Sequence, residues 1–179
     1  MLKHTCIVGL TSLCLVVSAC EQKPTSTATP PSSGTSVQWP SGLFVAAAPA
    51  GAKDVKDAKT GAKQGDKVVL TGRIGGSEDP FVEGRAMFTV VDLHLKYCGE
   101  VLKDDHCKTP WDYCCEPADE LAASSATIQV ADAEGRTMKA SLNGVQGLKP
   151  LAKVVVAGTV ADVAEGNLIV RAEGIHVIR

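Results

Sequence analysis

Two runs of the chain repeat one pattern. Val68-Val69-Leu70-Thr71-Gly72-Arg73-Ile74 and Val154-Val155-Val156-Ala157-Gly158-Thr159-Val160 are both rich in β-branched residues, with a glycine in fifth place. β-Branched side chains are stiff at χ1 and pack well on a pleated surface. A glycine inside such a run marks a bend or a close approach of two backbones. A small sheet closes on itself only with bends of this kind. The repeat therefore constrains the chain to a curved, closed β architecture.

The rest of the pattern agrees. Residues 67–74 and 86–95 read as strands, the second with Phe88 and Val90 on one face and Met87, Val91 and Leu93 on the other. Gly75-Gly76 and Asp79-Pro80 supply the turn between them. Residues 126–131 and 137–142 flank the turn Asp132-Ala133-Glu134-Gly135-Arg136 and predict a hairpin. Strands are expected over 154–163 and 168–178, the last interrupted by Gly174. Residues 49–63 predict a short N-terminal helix, with Val55, Ala58 and Ala62 on one thin apolar face and Gly65-Asp66 stopping it. Residues 96–125 are irregular.

From residue 66 to 178 the chain resembles the OB-fold, in its bacterial and tRNA-anticodon-binding-like branch. The resemblance rests on the valine-glycine runs and on the following strand Phe88-Thr89-Val90-Val91-Asp92. It implies an all-β domain over residues 49–179: a five-stranded OB-like Greek-key barrel with a cysteine-rich insertion, residues 96–125, between the second and third strands.

The N-terminus addresses the chain. Lys3 and His4 precede an apolar run from Cys6 to Val17, and Val17-Ser18-Ala19 places small residues before Cys20. This is the layout of an export signal. The run is shorter than the roughly 20 residues that span a bilayer. With a cysteine at the cleavage point, the segment is similar to the lipobox of bacterial lipoproteins. That resemblance implies removal of residues 1–19 and acylation of Cys20, and several acyl chains anchor stably where one does not. Glu21, in place of Asp, points to the outer membrane facing the periplasm. Residues 20–48 are rich in Pro, Ser, Thr, Gly and Ala and predict a disordered tether reaching about 30 Å. Trp39 and Phe44 are exceptions expected to touch the domain or the membrane interface.

Charge argues against nucleic acid. Without the signal, 17 Lys and Arg face 20 Asp and Glu, a net charge of −3. OB-folds bind oligonucleotides or oligosaccharides through the second and third strands and the first and last loops. Here the first loop carries Glu78, Asp79 and Glu83 against Arg85, and the last carries Asp162 and Glu165. Phosphates would be repelled at both. The expected partners are the membrane, through the lipid, and an envelope protein or a saccharide.

The densest chemistry is Tyr97-Cys98-Gly99-Glu100 followed by His106-Cys107-Lys108-Thr109-Pro110-Trp111-Asp112-Tyr113-Cys114-Cys115-Glu116-Pro117. Of seven cysteines, Cys6 and Cys14 leave with the signal and Cys20 takes the lipid. Four remain, in a compartment that permits disulfides. Adjacent Cys114 and Cys115 close only a strained ring, so Cys98 and Cys107 are expected to pair with them in one order or the other. Two staples would hold an insertion with little apolar surface. The competing reading is a zinc or copper site built from Cys98, Cys107, Cys114 and Cys115, with His94 or His106 able to replace one ligand. The two Cys-x-x-Cys knuckles of zinc ribbons are missing.

Glu100, Asp104, Asp105, Asp112 and Glu116 lack calcium-loop spacing and read as a solvated loop. His176, between Ile175 and Val177, reads as a barrel-face histidine. No nucleophile–base arrangement can be assembled, so the expected function is non-enzymatic: a binding or interaction module, with any binding site beside Trp111, Asp112 and Tyr113.

Overall fold

The two glycine-bearing runs pair with each other. The computed structural model describes residues 37–101, 107–164 and 166–179. In it β2 (Lys67–Ile74) and β5 (Lys153–Ala164) run antiparallel, with Val68 opposite Gly158 and Gly72 opposite Val154. A side chain at Gly72 would stand 2.8 Å from the Val91 carbonyl oxygen. One at Gly158 would meet the Arg171 carbonyl oxygen and lie 2.8 Å from Val170 Cγ1. Both glycines are therefore close-approach positions, and a register shift between Ala157 and Gly158 marks the bend.

The remaining elements follow in chain order. β1 (Lys53–Asp54) pairs parallel with β2, and α1 (Val55–Lys59) follows it. β3 (Met87–Val91) leads through α2 (Cys98–Val101) and α3 (Ala118–Ala123) to β4 (Ser125–Gln129). A 3₁₀ turn, Val145–Gly147, precedes β5, and β6 (Asn167–Ile178) ends the sheet. The order is β1-β2-β3-β4-β6-β5, and the β2–β5 pairing closes five strands into a barrel with β1 as an extra edge. β4 and β6 are parallel, and the other barrel pairs are antiparallel. Inside lie Leu70, Ile74, Phe88, Val90, Ile128, Val154, Val156, Val160, Leu168 and Val170, all essentially without solvent contact. Each such side chain stabilises the fold by about 1.5–3 kcal/mol relative to exposure. Among the described residues no helix is long and apolar enough to cross a membrane.

Three local expectations change. The helix expected over 49–63 shrinks to α1, because Gly51 and Gly61 take positive φ on either side and residues 53–54 join the sheet. Five residues do not hold a helix alone; Val55 and Ala58 are buried against the barrel. The second arm of the expected hairpin, 137–142, is not a strand. The Asp132 carboxylate accepts N–H bonds from Glu134 and Arg136, and this tight turn leaves one bridge, Ala131 to Thr137. Met138 then crosses to bond Ala86 and Val130, and Leu142 drops into the core.

The third change concerns residues 37–48, which composition assigns to the tether. Leu43 is 1% exposed, and Leu43 and Val45 hydrogen-bond to Ile175 on β6. Phe44 packs edge-on against Trp39 at 6.4 Å, and both lean on the core, as their aromatic character suggested. The signal, Cys20 and residues 20–36 of the tether lie outside the described residues.

Candidate functional site

Between β3 and β4 the chain folds back on itself in a short ladder. Lys96 N–H donates to Glu116 Oε1 at 2.9 Å, Cys98 N–H to the Asp112 carbonyl at 2.6 Å, and Gly99 N–H to the Pro110 carbonyl at 2.8 Å. Gly99 permits this approach: a Cβ there would stand 3.0 Å from Pro110 Cβ. The ladder sets Cys98, at the start of α2, opposite the Cys114-Cys115 pair.

Two aromatic residues dock this segment on the barrel. Tyr113 is fully buried, packed with Val91 and Leu95, with Tyr97 and Leu121 around them. Its ring occupies the space left at Gly75, where a Cβ would lie 2.6 Å from Tyr113 Cε2. The Trp111 indole N–H donates to the Glu78 carbonyl at 2.8 Å, tying the segment to the loop after β2. The segment thus has a small apolar core of its own, which its composition did not announce. Asp112 is a turn residue, its carboxylate accepting the Tyr113 N–H at 2.7 Å.

Beneath the segment lies Arg73, pointing outward from β2 and nearly buried. Its guanidinium stacks 4.9 Å above the Tyr97 ring, and Glu100 Oε2 is 3.8 Å from one nitrogen. The Tyr113 hydroxyl lies beside it without an aligned hydrogen bond, and that nitrogen of Arg73 also lacks a hydrogen-bond partner. Burial raises the Tyr113 phenol above its ordinary value, and Arg73 opposes the shift.

The sulfurs converge. Cys98 Sγ is 2.9 Å from Cys114 Sγ and 3.8 Å from Cys115 Sγ, and the three lie within 4.8 Å of one another. A disulfide requires about 2.05 Å, so these are three unbonded thiols, with Cys107 a fourth. Cys98 is buried, Cys107 half-buried, and Cys114 and Cys115 exposed. Burial raises the Cys98 thiol, but hydrogen bonds from Cys114 and Cys115 outweigh it and bring the group below its ordinary value. The Cys114 thiol, hydrogen-bonded to Cys98, is pushed up to about 12.

The other candidates scatter. His94 is half exposed, with Nδ1 3.9 Å from Asp92 and Nε2 3.6 Å from Glu120, and it is not in the sulfur group. His106, Asp104 and Asp105 lie outside the described residues. Glu116 closes the ladder and Glu100 faces Arg73. His176 contacts the Val45 carbonyl at 3.1 Å, the face position expected of it. Sequence reasoning did not single out Arg73; its one signal is a cation at an outward strand position beside an aromatic-rich segment. Comparison of the chain with protein-family models, curated proteins and solved structures finds no match.

Proposed function

We propose that this is a lipid-anchored cell-envelope protein, exported by residues 1–19, acylated at Cys20 and acting as a non-enzymatic binding module. Its barrel is read as an OB-like Greek key, a reading supported by the closed order β2-β3-β4-β6-β5 with its single parallel barrel pair. The segment over 96–125 is then an insertion between the second and third barrel strands. The observation that carries the functional reading is the seam: Trp111 bonds the Glu78 carbonyl and Tyr113 fills the space at Gly75. The insertion and the first loop thereby form one rigid rim, and in OB-folds the first loop belongs to the binding side. The partner is an envelope protein or a saccharide. The acidic loops oppose an oligonucleotide.

A photo-crosslinking side chain at exposed Lys108, in the anchored protein in intact cells, tests the rim. An adduct of one discrete mass, missing when the probe sits at Val163 on the β5–β6 hairpin, is expected; no adduct at Lys108 overturns the reading. Labelling with a fatty-acid analogue that is lost in Cys20→Ala tests the anchor.

A second reading, metal binding, is favoured by one specific observation: three sulfurs within 4.8 Å of one another. The alternative, disulfides, is supported by the same proximity, with Cys98–Cys114 the nearest pair. A free-thiol count and elemental analysis of protein isolated without reductant separate them. Four thiols with stoichiometric metal support the metal site, and no thiols with no metal supports two staples.

A further inference from the structure

We propose that Cys98, Cys114 and Cys115 form a three-sulfur site for the monovalent soft cation Cu⁺, with Cys107 outside it. This rests on the metal-binding reading above and names its cation and ligand set.

The segment does not need its sulfurs to hold its shape. Tyr113, Leu95 and Val91 give it a core, and the backbone ladder and the Trp111–Glu78 bond fix its position. Packing therefore leaves the meeting of three thiols unexplained. They arrive from two directions: Cys98 is fixed by its N–H bond to Asp112, and the vicinal pair follows the buried Tyr113 anchor. Both members of the vicinal pair face Cys98, Cys114 at 2.9 Å and Cys115 at 3.8 Å. With metal–sulfur bonds of about 2.3 Å, a trigonal site has sulfur–sulfur edges of about 4 Å. The sulfurs lie within 4.8 Å of one another, and widening the Cys98–Cys114 separation from 2.9 Å by about one ångström at the exposed residue brings that edge to the trigonal value. Exposure of Cys114 and Cys115 gives the cation a way in, and buried Cys98 forms the floor.

The donor set selects the ion. Thiolates are the soft ligands of Cu⁺ and Zn²⁺. Structural zinc takes four ligands, and among the described residues no histidine, no carboxylate and not the fourth thiol, Cys107, joins the three sulfurs. Cu⁺ is satisfied by three soft ligands. Each sulfur that binds releases its proton to solvent, and no electron is transferred.

The test uses the full chain, reduced and kept anaerobic in detergent, titrated with Cu⁺ against the chromophoric chelator bathocuproine disulfonate. One Cu⁺ per chain is expected, with only Cu–S scattering in X-ray absorption. Cys98→Ser, Cys114→Ser and Cys115→Ser should each weaken binding by about 100-fold, the upper end of what loss of an outer-shell partner costs, while Cys107→Ser and His106→Ala leave it unchanged. Circular dichroism checks that each variant is folded; if Cys98→Ser is not, Cys98→Ala replaces it. Loss of binding in Cys107→Ser or His106→Ala, or displacement of Cu⁺ by equimolar Zn²⁺, overturns the three-sulfur copper site while leaving the metal reading standing. Absence of binding by either ion overturns both.

Discussion

The carboxylate of Asp92 accepts the backbone N–H of Val55, 37 residues earlier in the chain. It also accepts the N–H of Lys56 at 3.0 Å. Helix α1 has no cap from its own Asp54, so a residue just beyond β3 caps it from across the fold. Asp92→Ala leaves two helix-start donors without a partner and should destabilise the protein by about 1–2 kcal/mol. Asp92→Asn, which keeps one acceptor oxygen, should cost less. Burial raises the Asp92 carboxyl above its ordinary value, and the two N–H donors only partly offset this. The folded state therefore binds the proton more readily than the unfolded state. The gap between wild type and Asp92→Ala should widen as pH falls through that raised value, in urea melts followed by circular dichroism.

The two strand glycines make a sharper test. At Gly158 an added Cβ meets backbone, the Arg171 carbonyl, which cannot rotate away. Gly158→Ala should cost about 1–3 kcal/mol through overpacking, at the upper end of that range. Gly174 lies in β6, and its nearest neighbour to a new Cβ is Val45 Cγ1 at 3.6 Å, an ordinary contact. Gly174→Ala should change stability by less than about 0.5 kcal/mol. Equal effects in denaturant melts would mean that strand propensity, not backbone approach, sets the glycine requirement.

The barrel was legible because its cause is local. β-Branched runs and mid-strand glycines are written in consecutive residues, and the two runs pair with each other where the barrel closes. Leu43 was not legible, because one leucine in a Pro- and Ser-rich stretch has no periodic partner; its place is set by β6, over 130 residues away. Asp92 reads as a position inside the strand expected over 86–95, whereas β3 ends at Val91 and only the fold brings Val55 to Asp92. At the site, the cysteines and their two chemistries were visible in the sequence, but Arg73 and the burial of Tyr113 were not. Tyr113 was expected at a binding surface and instead lies in the small core under the segment between β3 and β4, because Gly75 leaves room for its ring.

Tyr113 carries two separable contributions. Its ring fills the space against Gly75, and its hydroxyl is buried without a partner. Tyr113→Ala should cost about 3–5 kcal/mol, as for other buried aromatic rings. Tyr113→Phe keeps the ring and removes an unsatisfied polar atom, so it should be neutral or stabilising by up to about 1 kcal/mol. A large loss on Tyr113→Phe would show instead that the hydroxyl and Arg73 bond in solution.

Acid acts in the opposite sense at Glu173. Lys67 and Thr159 donate to Glu173 at 2.6 Å each, linking β2, β5 and β6 across the closure. The Lys67 bond and then the Thr159 bond hold the Glu173 carboxyl below its ordinary value of 4.5. The unfolded state therefore takes up the proton first. The stabilisation is complete above the ordinary glutamate value and is lost as pH falls through the depressed folded one. Both charged side chains are half exposed or more, so the pair contributes only about 0.2–1 kcal/mol, less in high salt. Glu173→Gln should cost that amount at neutral pH and low ionic strength. The difference from wild type should shrink both in 1 M salt, to which about one Debye length of 3 Å corresponds, and on acidification. If it persists in acid, Glu173 acts as a neutral hydrogen-bond acceptor and not as a charge.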